Sequence, residues 1–356
     1  MQINPSVPVH EPEKSISEVE KASVRRRLRR VANKSGWMLT AFLVLSNGIA
    51  FGALWLFRRL CADILPDQVY ASLTTLISTM AMYLGAMPLI LLFYNHRSEH
   101  TLRTYFTRPN ARPGTMFKWI VIGAGCAYAT NYIMTIFFQI LSQFGLRFNA
   151  PDFTAQPTLL DAAVTFLSVA LLAPLFEEIF FRGALLGGLR PYGDAFAVIM
   201  SGILFGLAHA NYQQMFYAAA MGMLAGFLRL RTGSLWPAIG MHFTLNFIGA
   251  IQSILLSRID LEQLDAATSA MDFEYLAQHT GTLLAISGLS LLCLALAIAG
   301  VILFFREFSR RNRENLRMYN ACPQYGGAEK AEIFLTAPAI LLFLAVVAVL
   351  AAMNAA

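Results

Sequence analysis

The chain has 356 residues, of which 57% are hydrophobic and only 13% are charged, and its mean hydropathy is +0.55. Soluble domains carry roughly 25% charged residues, so this composition excludes an ordinary soluble domain. It predicts an all-α, polytopic helical membrane protein. The formal net charge is +6, but the basic residues accompany no nucleic-acid-binding motif, so we predict no nucleic-acid partner. The four cysteines match no zinc or redox spacing.

The first predicted element is a tail, residues 1–36, that is polar and then basic. Basic side chains cluster in its second half, directly before the first apolar stretch: Lys21, Arg25, Arg26, Arg27, Arg29, Arg30 and Lys34. Such a run beside a first span is typical of a cytoplasmic segment in contact with anionic lipid. We therefore predict a cytoplasmic N-terminus, the lipid bilayer as a partner, and a multi-pass location in a bacterial inner or cell membrane.

Apolar stretches of roughly the 17–25 residues that a bilayer requires then recur along the chain. They predict about eight to nine transmembrane helices, and the stretches lie at residues 37–57, 68–94, 117–144, 158–189, 194–210, 212–230, 235–257, 282–305 and 333–354. We predict N-terminal spans over 37–157, a four-helix catalytic core over 158–257, and a loop with C-terminal spans over 258–356. Basic residues concentrate in alternate loops, as expected if those loops are cytoplasmic.

The fourth predicted span carries three charged residues, Glu177, Glu178 and Arg182. A charge at membrane depth costs roughly 2.5–3.5 kcal/mol on insertion scales, so such residues are usually paired and functional. Glu178 and Arg182 are four residues apart and face each other on a helix, so we predict a supporting ion pair. Glu177 lies about 100° further round the helix. We expect it to remain free and to act as a general base.

Two of the six histidines lie in apolar runs of the predicted core. His209 ends the run ILFGLAHA, and His242 lies in SLWPAIGMHFTLNFIGA with Asn246 four residues later, on the same helix face. Counted from the basic turns, Glu177, His209 and the His242–Asn246 pair lie roughly 20, 24 and 12–18 Å from one side of the membrane. We therefore expect all four side chains to converge in one layer.

This set is compatible with two chemistries. In the first, Glu177, His209 and His242 bind a divalent metal such as zinc, with an open position for the water that the metal activates. In the second no cofactor takes part: Glu177 and His209 hold and deprotonate a water. His242 and Asn246 then donate hydrogen bonds to the oxyanion that forms on a carbonyl. Asn is a poor zinc ligand, which favours the second role for that pair, and the H-E-x-x-H zinc signature is absent.

Three stretches resemble the signature motifs of a known family. They are EEIFFR at 177–182, the phenylalanine and histidine of FGLAH at 205–209, and HFTLN at 242–246, preceded by TGSLWPAI at 232–239. These are similar to the motifs of the CPBP family, the CaaX-protease and bacteriocin-processing (Abi) group of intramembrane endopeptidases, which is related to the type II CaaX prenyl protease. The resemblance covers roughly residues 158–256.

The resemblance implies an all-helical membrane core in which Glu177 and His209 activate water, while His242 and Asn246 form the oxyanion site. It does not decide metal dependence. The predicted function is an intramembrane endopeptidase that hydrolyses a peptide bond in a membrane-embedded peptide or a lipidated protein. Two alternatives are a transporter or proton relay that uses the buried Glu, His and Arg set, and a non-catalytic membrane scaffold.

Overall fold

The computed structural model describes residues 18–95, 102–146, 148, 157–309, 318–320 and 322–355. Within this part of the chain the secondary structure is helical and there is no β-strand. In chain order the helices are α1 Glu18–Cys61, α2 Asp67–Tyr94, α3 Leu102–Tyr105, α4 Pro113–Gln143, α5 Leu159–Tyr192, α6 Asp194–Ala208, α7 Tyr212–Thr232, α8 Trp236–Leu256, α9 Leu261–Ala270, α10 Phe273–Glu307, α11 Gly327–Leu335 and α12 Pro338–Ala355. The predicted all-α fold is confirmed.

Six of the described helices, α1, α2, α4, α5, α8 and α10, are long and apolar enough to cross a membrane. The α11–α12 pair, bent by 73°, makes a seventh if it counts as one span, compared with the eight to nine expected. The α6 helix has only 15 residues, and α7 begins with glutamines and ends with arginines. Because protein surrounds much of both helices, they need not face lipid along their whole length. The chain is a multi-pass integral membrane protein.

Two predicted elements differ from the observed ones in extent. No break separates the basic segment from the first span, because α1 runs through both as one helix of 44 residues. The last predicted span, 333–354, is divided at Thr336 and Ala337 into α11 and α12, where Pro338 has no N–H to continue the helix. The part of the predicted tail before residue 18 lies outside the described residues.

Small residues let the helices approach closely at two long interfaces. A Cβ added at Gly36 of α1 would collide with the backbone of Ala339 in α12, and one at Gly125 of α4 would collide with the backbone around Leu296 and Gly300 of α10. Close backbone approach of this kind is the usual basis of helix association in membranes. These contacts hold α1, α4, α10 and α12 around a centre formed by α5, α6, α7 and α8.

Candidate active site

A cavity of about 910 Å³ lies among α1, α2, α4, α5, α6, α7 and α8. The four predicted catalytic side chains, Glu177, His209, His242 and Asn246, all line it. The structure therefore brings together the set that the sequence predicted to converge. Their surroundings differ in several respects from the expected ones.

Segments of π-helix interrupt α2 and α5 beside the cavity. They span Ala81–Ala86 in α2, and Phe166–Leu172 and Ile179–Leu185 in α5. A π-bulge shifts the hydrogen-bond ladder by one residue and is frequent at functional sites. Each of the three segments carries or adjoins a residue of the site, so the local winding decides which polar groups reach the cavity.

The first π segment of α5 explains the position of Asn246. The N–H of Ala173 bonds to the carbonyl of Ser168 rather than to that of Val169. The next residue is Pro174, which has no N–H, so the Val169 carbonyl lacks a helical partner. Asn246 of α8 fills this vacancy, with its Nδ2 donating to the Val169 oxygen at 2.8 Å. One amide N–H of Asn246 is thereby used and the second is left for another acceptor.

Glu178 is fully buried and contacts two basic side chains. Its Oε2 lies 3.3 Å from Arg182 Nε, with both side chains 0% exposed, so the predicted ion pair is present. Its Oε1 lies 3.0 Å from Nδ1 of His242, a contact that the helical spacing did not predict. Because a carboxylate can only accept, Nδ1 of His242 must carry the proton in this hydrogen bond.

Glu177 is not free, contrary to expectation. Tyr83 of α2 donates its hydroxyl to Oε1 of Glu177 at 2.7 Å, and Oε2 lies 3.8 Å from Nε2 of His242. The Tyr83 ring stacks on Phe176 at 5.9 Å between centroids, which fixes its direction. The carboxylate is thus held through one oxygen while the other faces His242 across the cavity wall.

His209 lies at the turn where α6 ends and α7 begins. Its Nδ1 is 2.8 Å from the carbonyl oxygen of Phe205, one turn earlier. A neutral ring that donates from Nδ1 carries its lone pair on Nε2. The next residue, Ala210, has φ of 47°, a left-handed conformation that costs an L-residue about 1–2 kcal/mol. Strain of this kind is often stored at functional sites.

The ring of Phe205 connects the parts of the site. It packs edge-on against His209 at 4.8 Å and His242 at 5.8 Å, and the Arg182 guanidinium lies 4.2 Å from its centroid. Apart from the Glu178 ion pair and this cation–π contact, the three guanidinium nitrogens form no hydrogen bond with the described residues. The guanidinium fits because α7 has Gly222 here, where a Cβ would lie 2.6 Å from Arg182 Nη2.

The metal alternative was tested against this arrangement. Both histidines bond through Nδ1 to a protein oxygen, which is how metal-ligating histidines are usually oriented. However, among the described residues no group of three or more His, Cys, Asp or Glu side chains is placed to hold an ion. Glu177, His209 and His242 do not form a ready ligand set as they stand, so we derive no step through a metal.

Two contacts of the site were not predicted from the sequence, that of Tyr83 with Glu177 and that of Glu178 with His242. Tyr83 lies in a predicted span outside the core, and a tyrosine in an apolar run gives little indication of a distant partner. The bond between Glu178 and His242 joins residues 64 positions apart, so no local spacing encodes it. The one available signal was charge, since a second buried carboxylate is expected to have more than one basic neighbour.

Comparisons with known proteins agree with the motif resemblance. Residues 159–248 match a family model described as "Type II CAAX prenyl endopeptidase Rce1-like". Over 95 residues the chain is 33% identical to "Putative membrane peptidase YdiL" of Bacillus subtilis. Over 103 residues it is 28% identical to the "Uncharacterized 24.3 kDa protein" of Escherichia coli. The resemblance to the CPBP family is confirmed over this segment.

Each match to a relative covers only about a quarter of the chain. They cover 26% and 27% of it, and 39% and 48% of the two relatives, so the chain spans less than half the length of the curated relatives it matches. No solved structure matches the chain significantly. The segment of 159–248 contains Glu177, His209, His242 and Asn246, whereas Tyr83 lies outside it.

Proposed function

We propose that this protein is an intramembrane endopeptidase that hydrolyses a peptide bond in a membrane-associated or lipidated polypeptide. The observation that carries the proposal is the convergence of Glu177, His209, His242 and Asn246 on one cavity. The match of 159–248 to a family of prenyl endopeptidases supports protease chemistry in this cavity rather than another use of the same residues. The substrate and the mechanism below are parts of the proposal.

In the proposed first step Glu177 and His209 hold a water in the cavity. The Glu177 oxygen that faces the cavity accepts one proton of this water. Nε2 of His209 accepts a hydrogen bond from the second O–H of the same water. The hydroxide oxygen bonds to the carbonyl carbon as the proton moves to Glu177. General base catalysis by a positioned carboxylate contributes typically about 10²–10⁴-fold to the rate.

The carbonyl oxygen becomes negatively charged in this step and needs donors. Two are available on α8: Nε2–H of His242 and the second amide N–H of Asn246. For His242 to donate from Nε2 as well as from Nδ1, its ring must be an imidazolium. The charges of Glu177, Glu178, Arg182 and His242 then sum to zero, which a buried cluster favours.

Collapse of the tetrahedral intermediate completes the reaction. The carbon–nitrogen bond breaks, the oxyanion returns to a carbonyl, and the departing nitrogen takes the proton held by Glu177. One water is consumed, and a carboxylic acid and an amine are formed, which ionise to a carboxylate and an ammonium once the acid proton passes to the amine. In this scheme Glu178 and Arg182 contact neither water nor peptide, so they are positioning residues that act through His242.

The transporter alternative receives less support from the shape of the cavity. A transport path must reach both faces of the membrane, whereas the described lining residues run from the middle of the bundle toward one end. A non-catalytic scaffold does not need a water-sized space beside two carboxylates and two histidines. Turnover distinguishes these alternatives directly.

The test is cleavage by purified protein in nanodiscs, with a library of membrane peptides and mass spectrometry to find new termini. We expect Glu177→Gln to lower the cleavage rate by about 10²–10⁴-fold, and His209→Ala and His242→Ala to abolish it. All three should remain folded and membrane-inserted by circular dichroism. A matched control is Glu307→Gln, because Glu307 pairs with Lys118 away from the cavity. Full turnover by Glu177→Gln would refute the water-activation role.

A further inference from the structure

The residues that line the cavity run from the middle of the contributing helices toward one end of the bundle. They fall within 71–83 of α2, 127–131 of α4, 161–181 of α5, 214–221 of α7 and 242–256 of α8, together with Phe42 of α1 and Phe205 and Ala208 of α6. Helices α2, α5 and α7 contribute their earlier parts, whereas α8, which runs the opposite way, contributes its later part. The cavity therefore extends from Glu177 toward a single end of the bundle.

The two ends of the bundle differ in charge. One end, which we call the basic end, contains the starts of α1, α4, α6 and α8 and the ends of α2, α5 and α7. Its exposed basic residues include Arg25, Arg26, Arg27, Arg29, Arg30, Arg112, Arg190 and Arg231. The opposite end has exposed acidic residues, including Asp63, Asp67, Asp260, Glu262 and Glu274, and fewer exposed basic residues among those described, namely Arg58, Arg59 and Arg258. An excess of Lys and Arg marks the cytoplasmic side, which predicts that the basic end is cytoplasmic.

The short helix α6 gives the cavity its depth. Its 15 residues span about 22 Å, less than the hydrocarbon core of about 30 Å. The helix starts at the basic end, so His209 at its C-terminus lies below the opposite surface. Longer neighbours continue past this point and form the walls, which include Thr75 of α2 and Gln252 of α8.

The wall above His209 carries polar groups suited to a peptide backbone. Asn131 and Gln252 supply carboxamides, and Ser168 supplies a hydroxyl. Ser168 is only 6% exposed, and its Oγ makes no hydrogen bond with the described residues. A buried hydroxyl without a partner is costly, and an amide of an extended polypeptide would supply one.

We propose that the cavity opens to the extracytoplasmic face, and that its substrate is an extended polypeptide segment reaching Glu177 from that side. The substrate half of this inference rests on the proposed function; the orientation of the cavity does not. A lipidated tail on the cytoplasmic side of the membrane would meet the closed, basic end. The substrate class is therefore the extracytoplasmic part of a membrane-bound or exported peptide.

The test combines cysteines introduced one at a time with a membrane-impermeant maleimide applied to intact cells. The parent is Cys61→Ser, whose remaining cysteines, Cys126, Cys293 and Cys322, set the background. Three variants are made separately in this parent: Thr75→Cys at the cavity, Asp63→Cys at the opposite end, and Arg231→Cys at the basic end. We expect labelling of the first two in intact cells, and of Arg231→Cys only after permeabilisation. Bulky labelling of Thr75→Cys should reduce cleavage at least tenfold, whereas labelling of Asp63→Cys should not.

Each contrary result would overturn a specific part of the proposal. Labelling of Arg231→Cys but not Asp63→Cys in intact cells would reverse the topology and refute the proposal. If Asp63→Cys and Arg231→Cys show the expected topology but Thr75→Cys is labelled only from the cytoplasmic side, or not at all, the cavity does not open to the extracytoplasmic face. Because labelling needs no turnover, it also stands apart from the proposed function. A failure of the protease assignment would appear as no cleavage of any library peptide by the parent protein with the labelling pattern intact.

Discussion

Glu177 and Glu178 are consecutive residues, yet the fold gives them opposite surroundings. Glu178 belongs to a closed group that we call the Arg182 pocket, formed by Glu178, Arg182, Phe205 and Gly222, in which the carboxylate side chain is 0% exposed. Glu177 belongs to the cavity wall, and its side chain keeps 14% exposure. The difference follows from one step of about 100° round the helix. The two carboxylates can therefore have different roles, because Glu178 holds His242 and Arg182 while Glu177 remains accessible from the cavity.

His242 connects the two regions. Its Nδ1 bonds to Glu178 in the Arg182 pocket at 3.0 Å, and its Nε2 faces Glu177 at 3.8 Å. A change in the closed region should therefore reach the cavity wall through the orientation of one ring. Changes in the cavity wall itself should leave the closed region intact. This asymmetry can be tested, because it predicts which variants lose stability and which lose only activity.

The largest effect is expected from Arg182→Ala, which leaves the buried cluster of Glu177, Glu178 and His242 with one uncompensated negative charge. Breaking one partner of such a pair typically costs about 3–5 kcal/mol, so both the melting temperature and the activity should fall. Glu178→Gln should be milder for stability, since an amide oxygen can still accept from His242. The double variant Glu178→Gln with Arg182→Met should recover part of the stability without the activity, because His242 then lacks its carboxylate.

The matched control is the exposed pair of the same spacing, Arg190 and Asp194. Arg190 Nε lies 3.1 Å from Asp194 Oδ1, with the two side chains 60% and 14% exposed. Exposed pairs are worth about 0.2–1 kcal/mol, so Arg190→Ala should barely change the melting temperature. Equal stability of Arg182→Ala and the parent, or simple additivity of Glu178→Gln and Arg182→Met, would contradict the coupling.

A smaller effect, confined to activity, is expected from Tyr83→Phe in the cavity wall. Loss of a hydrogen bond to a charged acceptor costs about 1.5–3 kcal/mol, which corresponds to roughly 10–100-fold in rate. Because Tyr83 positions Glu177 and is not proposed to bind the peptide, kcat should fall while KM is unchanged. Steady-state cleavage of one identified peptide, together with thermal unfolding, measures both.

Tyr70→Phe provides the comparison for this variant on the same helix. Tyr70 stacks on Phe57 near the start of α2, away from Glu177, and its substitution should alter neither constant. A fall in melting temperature for Tyr83→Phe similar to that of Arg182→Ala would remove the distinction between the two regions. A change in KM alone would turn Tyr83 from a positioning residue into a substrate contact.

The sequence predicted which residues form the site better than it predicted the contacts among them. Charges in an apolar run and residues four apart are local signals, and they identified Glu177, the Glu178–Arg182 pair and the two histidines. The fold class likewise followed from apolar stretches of membrane length. What the sequence could not supply was helix rotation: whether Glu178 meets Arg182 alone or also His242 depends on packing between α5 and α8.

The π-helical segments were the second feature that the sequence did not predict. The Asn246–Val169 bond exists because the ladder around Ser168 and Ala173 is shifted ahead of Pro174. A proline in a span indicates a disturbed helix, but not which carbonyl is released or which side chain takes it. For the same reason Tyr83 could not be linked to Glu177: Tyr83 lies within one π segment and Glu177 just before another, and the winding of both is set by tertiary contacts.

The smallest expected effect is that of a chelator on the active protein. The Nδ1 atoms of both histidines bond to Phe205 and Glu178, and the proposed roles of His242 and Asn246 are to donate hydrogen bonds. A cation bound by Nε2 of His242 would replace that donor and add positive charge to a cluster that we propose to be neutral. We therefore expect cleavage rates to be unchanged after dialysis against a strong chelator, with Glu307→Gln treated in parallel. Zinc at one equivalent per active protein, loss of activity on chelation and its return with zinc would overturn the metal-free mechanism. Such a result would reassign Nε2 of His242 from oxyanion donor to metal ligand, while leaving Glu178 as the group that orients the ring.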